Sequence, residues 1–199
     1  MALDYSDLQT KVAAFLDRAD LETQIPTFIL MAEAAINRDV RHWQMEKRSE
    51  ATFNERYEVL PTDWISARRI TVGGDTQLDL LSQAKMMEYR ENSANTAGKP
   101  LFYSISSAQL ELYPTPDGDY DGSMIYTAKV PELSDAAPNN WLLTEAPDLY
   151  IYGTLIHTAP YLQEDSRTAI WAGLYNAAVD ALNEASEEGL YGGSGLAIR

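Results

Sequence analysis

Three aspartates alternate ahead of a glycine in the stretch PTPDGDYDGS, which spans residues 114–123. Asp117, Asp119 and Asp121 match the first half of a calcium-binding EF-hand loop. The second half is missing, because position twelve is Ala128 instead of a bidentate Glu and the flanks have strand patterns instead of helical ones. Asp, Gly and Pro also build tight β-connections. We interpret the stretch as a turn between two strands, with calcium binding as the alternative.

Other residue patterns that could support catalysis are scarce. The chain has no cysteine, which excludes disulfides, thiolate zinc sites and cysteine nucleophiles. His42 and His157 lie in separate segments without the spacing of a zinc hydrolase; we expect the first at a helix end and the second beside Tyr161. The stretch GGSGL lacks the last glycine of a nucleophile elbow, where Leu196 stands. We therefore expect no catalytic residue, no metal site and no cofactor, and a protein that is not an enzyme.

The composition describes an acidic globular chain. Its 199 residues are 45% hydrophobic, with a mean hydropathy of -0.31 and a formal net charge of -15. Such a surface repels phosphate, so binding to nucleic acid through counterion release is not expected. Basic residues concentrate between Arg38 and Arg69, whereas only Arg167 and Arg199 are basic after Val130. One part of a copy could therefore complement another part of its neighbour, and an ordinary solvated surface is the other interpretation. We expect no signal peptide and no membrane span.

Helical periodicity marks both ends of the chain. Asp4 is placed to cap a first helix, and Pro26 and Pro147 are tolerated in the first turns of two others. Pro160 ends or kinks the third helix, and a fourth begins near Asp165. Their expected apolar stripes are Leu8, Val12, Phe15 and Leu16; Ile25, Phe28, Ile29, Ala32, Ile36, Val40 and Trp43; Leu149, Tyr152, Leu155, Ile156 and Ala159; and Trp171, Leu174, Ala178 and Leu182.

Between the helical segments the period changes to that of strands. Alternation begins after Ser49, with Ala51, Phe53, Tyr57 and Val59 in one set, and continues to about Val130. The segments LFYSIS and QLELY predict a hairpin, with Leu110 and Leu112 facing inward and Gln109 and Glu111 facing outward. The stretch SQAKMMEYRENS predicts a short helix across the sheet. These patterns indicate a compact antiparallel β-region of about eighty residues.

The fold class predicted from this order is α+β. We expect an antiparallel helical bundle, formed by the N- and C-terminal helices, with an inserted antiparallel β-domain and a flexible C-terminal tail. The expected domains are residues 1–47 with 134–188 for the bundle, 48–133 for the β-domain and 189–199 for the tail.

The tail GLYGGSGLAIR contains four glycines and a serine, so it cannot build a core by itself. It nevertheless ends in apolar and basic residues, which a merely solvated terminus does not need. Two interpretations remain, a frayed end and an arm that orders on a partner. The arm comprises Gly189, Leu190, Tyr191, Gly192, Gly193, Ser194, Gly195, Leu196, Ala197, Ile198 and Arg199.

Aromatic residues add an argument for assembly. The chain has twelve Tyr and four Trp, and such side chains are enriched at interfaces. Taken singly, most of a set of eight tyrosines are expected to pack in the core. We expect that one core cannot bury all eight, and as a set they favour an oligomer. These are Tyr103, Tyr113, Tyr120, Tyr126, Tyr150, Tyr152, Tyr161 and Tyr175.

The order of several short motifs resembles one protein family over nearly the whole chain, up to about Leu182. The motifs are LPTDW (60–64) followed by Arg68, Arg69 and Ile70, GKPLFY (98–103), LYPTP (112–116), Tyr126, KVPELS (129–134), NNWLL (139–143), APDLYIYG (146–153) and PYLQED (160–165). With the order of helix pair, β-region and helix pair, they resemble the tailed-phage head-to-tail adaptor, or connector, proteins of the tail tubular protein A-like family.

The resemblance implies a structural protein of the phage neck, made in the host cytoplasm. Its members form a twelvefold ring below the portal, carry the tail or nozzle protein beneath it, and leave a channel through which DNA passes without specific binding. The isolated subunit can be monomeric. By position, the resemblance assigns portal attachment to the arm, residues 189–199.

Two other functions remain as alternatives. One is a stand-alone capsid-accessory binding module with the same plan of bundle and sheet. The other is a virion-associated hydrolase that uses a metal or a carboxylate pair. Binding to portal particles separates the first alternative from an adaptor, and turnover that depends on one carboxylate would support the second.

Overall fold

The computed structural model describes residues 3–92, 97–162 and 166–191, without the side chains of Ala19, Leu190 and Tyr191. Within these ranges the fold is α+β, as the sequence predicts, and it has six α-helices and two β-sheets. No helix in the described ranges is long and apolar enough to cross a bilayer. The helices are Tyr5–Leu16 (α1), Ile25–Asp39 (α2), Gln83–Asn92 (α3), Trp141–Glu145 (α4), Pro147–Ile156 (α5) and Arg167–Tyr191 (α6).

The chain divides into two compact units. The first, which we call the helical unit, comprises Met1–Met45 and Val130–Arg199, and the second, the β-unit, is the continuous segment Glu46–Lys129. The helical unit contains α1, α2, α4, α5 and α6, whereas the β-unit contains α3 and the described strands. The strands are Glu46–Phe53 (β1), Tyr57–Val59 (β2), Trp64–Val72 (β3), Thr76–Gln77 (β4), Asp79–Leu80 (β5), Phe102–Ser106 (β6), Gln109–Tyr113 (β7) and Tyr120–Ala128 (β8).

The helix starts follow local signals in the sequence. Asp4 accepts a hydrogen bond from the Asp7 amide at 2.8 Å, and the Asp7 carboxylate accepts one from the Asp4 amide at 3.3 Å. This reciprocal pair is a capping box, which satisfies two amides that have no partner inside the helix. Pro26 and Pro147 lie in the first turns of α2 and α5, where a missing amide costs nothing. The three predicted starts are confirmed.

Helix α5 forms the centre of the helical unit. It packs against α1, α2, α4 and α6, and Leu149, Tyr150 and Leu155 on its different sides are all fully buried. Gly153 lies where α2 and α6 approach α5. A Cβ at this position would lie 3.4 Å from the Cβ of Ala32 and 3.2 Å from the ring of Tyr175. The missing side chain therefore allows both neighbours to pack closely on α5.

Two four-stranded sheets form the β-unit, with strand orders β1-β8-β3-β4 and β2-β7-β6-β5. Side chains from both sheets share one apolar core, since β1, β3 and β8 contribute to it together with β6 and β7. The members of this core are Phe53, Leu60, Ile70, Val72, Leu78, Tyr103, Leu110, Leu112, Met124, Tyr126 and Ala128.

The hairpin of β6 and β7 forms where the sequence predicts it. Ser106 pairs with Gln109, so the turn has two residues, Ser107 and Ala108. Their φ angles are 50° and 61°, the left-handed values that a type I′ turn requires at both positions. This turn matches the twist of the strands it joins, which explains why the chain accepts the conformation without glycine.

One strand pair differs from the predicted antiparallel arrangement. β5 and β6 are parallel, with Asp79 opposite Phe102 and Leu80 opposite Tyr103. Parallel neighbours need a long crossover, and α3 lies in the segment that connects them. The predicted helix is therefore present, but the prediction of a wholly antiparallel region was wrong because a two-residue strand has no visible period.

Several side chains lie on a different face from the one predicted. Glu111, expected to face outward, is 4% exposed. Trp43, expected on the stripe of α2, lies beyond the end of this helix and is 47% exposed. On α6, Leu174 is exposed, and the buried positions are Trp171, Tyr175, Val179 and Ser186. α6 has alanines on several sides, so the period of its large residues does not define the buried face.

Candidate interaction surfaces

The expected arm begins inside a helix. Gly189, Leu190 and Tyr191 are the last three residues of α6, which places the start of the arm at the end of a 25-residue helix. The rest of the arm, residues 192–199, lies outside the described residues. Attachment of this segment to a portal stays a prediction.

The C-terminal half of α6 is bound to the segment that follows α2. The Arg41 amide donates to the side-chain oxygen of Asn183 at 2.7 Å, and the Trp43 amide donates to the Ser186 hydroxyl at 2.9 Å. Asn183 in turn donates to the backbone carbonyl of Asp39 at 3.2 Å. These bonds satisfy backbone groups at and just after the C-terminal end of α2, and they fix the end of α6 that leads into the arm.

Three aromatic rings, those of His42, Trp43 and Trp141, cluster near the C-terminal end of α6. The indole nitrogen of Trp43 lies 3.8 Å from the position of a Cβ on Gly189, and its side chain is half exposed. The ring of His42 stacks on Trp141 at a centroid distance of 5.1 Å. Burial lowers the pKa of His42, while Glu145 raises it to a lesser extent. A half-exposed tryptophan that packs beside other aromatic rings is a kind of side chain enriched at protein interfaces.

The second histidine lies at a different helix end. His157 ends α5, and burial together with the nearby Arg38 cation lowers its pKa. In the described ranges, no three His, Asp or Glu side chains come close enough together to hold a metal ion.

The three aspartates of the PTPDGDYDGS stretch have separate partners. Asp117 accepts a hydrogen bond from the Tyr120 hydroxyl, and Asp119 accepts one from Asn54 at 3.1 Å. Asp121 lies within β8, opposite Thr52 of β1. The stretch connects β7 to β8, so the predicted turn between two strands is confirmed.

Helix α2 buries its charged side chain and exposes apolar side chains along much of its length. Between Ile25 and Ile36 its only charged residue is Glu33, which is 5% exposed, whereas Leu30 and Met31 are 56% and 48% exposed. A helix that is apolar on all sides is normally covered on all sides. The outer face of α2 is therefore a candidate interaction surface, which we call the α2 face (Leu30, Met31 and Ala34).

Helix α6 carries a second apolar surface. Ile170 and Leu174 are 62% and 42% exposed, and Ala177, Ala181 and Ala185 continue the same side of the helix towards its C-terminus. We call these five residues the α6 face. Beside it run three exposed carboxylates, which make no ion pair with any residue that the structure describes. They are Asp180, Glu184 and Glu188.

These surfaces are not the ones that the aromatic composition indicates. Five of the eight tyrosines in the predicted set are buried, and Tyr161 is half exposed. The expectation that one core cannot bury them all is confirmed, but most of them serve the core. In the sequence, the pattern that indicates the α2 face is the apolar run from Ile25 to Ile36, which contains a single charged residue.

The buried carboxylate of Glu33 connects α2 to the segment that precedes α4. Its Oε1 atom accepts from the Leu133 amide at 2.8 Å and from the Tyr150 hydroxyl at 3.4 Å. Asn140 donates to the same hydroxyl at 2.7 Å, while its own side-chain oxygen caps α4 by accepting from Leu143. Burial raises the pKa of Glu33 from 4.5 to about 7, against the Leu133 hydrogen bond, which lowers it.

This shift predicts a pH dependence of stability. Because the folded pKa of Glu33 lies above the unfolded value, the folded chain binds more protons between pH 4.5 and pH 7. The free energy of unfolding should therefore fall as pH rises through this window, by at most about 3 kcal/mol. Glu33→Gln keeps an acceptor for Leu133 without the charge, so it should be at least as stable as the parent at pH 8.

Urea unfolding of both proteins at pH 5, 6, 7 and 8 measures this effect. Other groups titrate in the same window, so the difference between the two proteins isolates Glu33. Parallel stability curves for parent and Glu33→Gln would contradict an elevated pKa at this site. Glu22→Gln is a control at an exposed carboxylate between α1 and α2, and it should follow the parent closely.

Comparison with known proteins adds one finding that covers the chain. A family model described as SU10 adaptor protein matches residues 3–197. No curated protein shows significant similarity to the chain.

Proposed function

Because this chain belongs to the SU10 adaptor protein family of phage head-tail adaptors, we propose that it forms a ring between the portal and the tail or nozzle protein. Membership of this family makes it an adaptor-type structural protein and a component of the virion. The resemblance found in the sequence is confirmed at this level. Its narrower assignment to the tail tubular protein A-like group stays a prediction.

The match over residues 3–197 carries the proposal, since it includes both units and most of the arm. The charge of the chain supports it. A formal net charge of -15 gives a surface that repels DNA, which suits a channel wall because each captured phosphate would slow genome ejection. We propose that DNA passes this wall without specific binding.

A closed ring requires two different surfaces on each copy. Repetition of one heterologous contact generates a cyclic assembly, twelvefold in this proposal. The exposed apolar faces of α2 and α6 supply two such surfaces, because extended exposed apolar areas mark sites of contact with other proteins. The subunit can be monomeric in isolation and assemble on the portal after synthesis in the host cytoplasm.

We further propose domain roles for the two units. The helical unit, as an antiparallel bundle, stacks side by side around the ring, while the β-unit faces the tail. The arm, residues 189–199, reaches the portal. The predicted domain boundaries, residues 1–47 with 134–188, 48–133 and 189–199, belong to this proposal.

Truncation of the arm tests the attachment. Removing residues 192–199 should leave the melting temperature within about 2 °C, because these residues follow the last turn of α6 and contribute nothing predicted to be core. The same truncation should abolish co-sedimentation with portal particles. Removing residues 189–199 instead should give the same loss with a small additional effect on α6.

The matched control replaces residues 192–199 by eight glycines and serines, which keeps the length but removes Leu196, Ile198 and Arg199. It should also fail to attach. Attachment by either variant at the level of the parent would exclude the arm as the portal contact. Failure of the full-length chain to bind portal particles would contradict the adaptor function itself.

A further inference from the structure

We propose that, in the ring, the α2 face of each copy packs side by side and parallel against the α6 face of the next copy. The proposal rests on the proposed ring and identifies its subunit interface. Its occupant is a second copy of this chain, and it pairs two surfaces that the residues described by the structure leave exposed.

The first argument is the position of the two faces. α5 packs against the buried sides of both α2 and α6, with Ala32 and Tyr175 meeting at Gly153. Leu30 and Met31 lie on the side of α2 turned away from α5, and Ile170 lies on the corresponding side of α6. Each copy therefore carries two different apolar faces, and contact between unlike faces is heterologous, as a ring requires.

The second argument is their shape. Large side chains project from the α2 face, whereas the α6 face continues from Ile170 and Leu174 into three alanines. Small residues let a neighbouring helix approach closely, and the side chains of Leu30 and Met31 can pack beside Leu174 and over Ala177. Together these residues would form the apolar centre of an interface.

The third argument is that basic residues near the end of α2 and acidic residues of α6 lie at similar distances from the apolar centres of the two faces. Arg38 and Arg41 are exposed and follow Leu30 by 8 and 11 positions, while Asp180 and Glu184 follow Leu174 by 6 and 10 positions. At about 1.5 Å per residue along a helix, the offsets of Arg38 and Asp180 agree within about 3 Å. Arg41 follows two positions after the last residue of α2. A parallel arrangement therefore places the two arginines beside the two carboxylates.

The opposite orientation lacks this complementarity. An antiparallel arrangement would bring Arg38 towards the N-terminal end of α6 and would leave Asp180 and Glu184 without a basic neighbour from α2. Charge patterns across an interface select orientation and partner more than affinity. The charges thus select the parallel arrangement, and the apolar faces supply the contact area.

Cysteine cross-linking tests the contact directly, because the chain has no native cysteine. An affinity-tagged Leu30→Cys variant is mixed with an untagged Leu174→Cys variant, assembled on portal particles and oxidised. The expected product is a mixed disulfide dimer that carries one tag. Tagged Thr10→Cys with the same Leu174→Cys partner is the matched control, since Thr10 is exposed on α1 outside both faces, and it should yield at least about tenfold less dimer.

Charge reversal tests the register. Arg38→Glu with Arg41→Glu, or Asp180→Arg with Glu184→Arg, should each reduce the assembled fraction by about tenfold, because the like charges recur at every interface. The chain with all four changes should assemble like the parent. Failure of this combination to recover would overturn the parallel register.

The outcomes separate this inference from the function on which it rests. Rings on portal particles without the Leu30–Leu174 cross-link would overturn the interface and leave the adaptor function intact. Disulfides between two Leu30→Cys copies would overturn it in favour of contact between like faces. Absence of any ring on portal particles would remove both the interface and the proposed function.

Discussion

Replacing Trp171 by alanine should lower the free energy of unfolding by about 3–5 kcal/mol. The indole is 5% exposed and lies on the side of α6 that packs against α5, together with Tyr175 and Val179. The guanidinium of Arg167 covers its ring at 5.2 Å from the centroid. Removal of so large a buried side chain loses its transfer free energy and leaves a cavity that the neighbouring helices cannot close completely.

The sequence alone leaves two outcomes for this substitution, a large loss for a core residue and a small one for a residue that faces a neighbouring copy. Urea unfolding of the isolated subunit distinguishes them. Leu174→Ala, one turn away on the exposed side of α6, is the matched control and should cost less than about 1 kcal/mol in the isolated subunit. Equal losses for Trp171→Ala and Leu174→Ala would contradict the orientation of α6.

Glu111 is the second position where a large effect is expected. Its Oε1 atom accepts from Arg56 at 2.7 Å and from Arg90 at 2.9 Å, and the Ser104 hydroxyl lies 3.4 Å from Oε2. The Arg90 side chain is 11% exposed, so it is nearly as enclosed as the carboxylate. Arg90 also donates to the backbone carbonyl of Leu112 at 2.7 Å, which connects α3 to β7.

Glu111→Ala should therefore destabilise the β-unit by about 3–5 kcal/mol, because it leaves the Arg90 cation enclosed without its counter-ion. Burial raises the pKa of Glu111, but the hydrogen bonds and charges of Arg56 and Arg90 outweigh it and hold the pKa below its ordinary value. A depressed folded pKa contributes stability that is present above the unfolded pKa and is lost as pH falls through the folded one. The gap between parent and Glu111→Ala should narrow on acidification.

The matched control is Glu88→Ala on α3, which removes the exposed ion pair with Lys85. It should cost less than about 1 kcal/mol and show no comparable change with pH. Urea unfolding of the three proteins between pH 3 and pH 7 provides the measurement. A gap between parent and Glu111→Ala that stays constant down to pH 3 would show that the charge of Glu111 does not stabilise the β-unit.

The order of elements could be predicted from the sequence because their signals are local. The capping box at Asp4 involves residues three positions apart, and the prolines at 26 and 147 act within one turn. The hairpin of β6 and β7 and the turn before β8 likewise depend on short segments. Family membership was also accessible from ordered motifs, since it needs no knowledge of contacts.

The faces of these elements depend on partners that are distant in the chain. Glu33 is buried because Leu133 and Tyr150, at least 100 positions away, supply its hydrogen bonds. The strand alternation predicts that Glu111 faces solvent, yet Arg56 and Arg90 stabilise its charge inside the β-unit. A local pattern records polarity but not the partner that compensates it.

The α2 face and the α6 face also depend partly on local sequence and partly on tertiary contacts. The sequence by itself determined that α2 and α6 are helices with apolar residues on more than one side. Only the tertiary structure decided which of those sides α5 covers and which remain exposed at Leu30, Met31, Ile170 and Leu174. Helix formation follows from local hydrogen bonds and caps, whereas the burial of a helix face depends on how all the helices pack into one core.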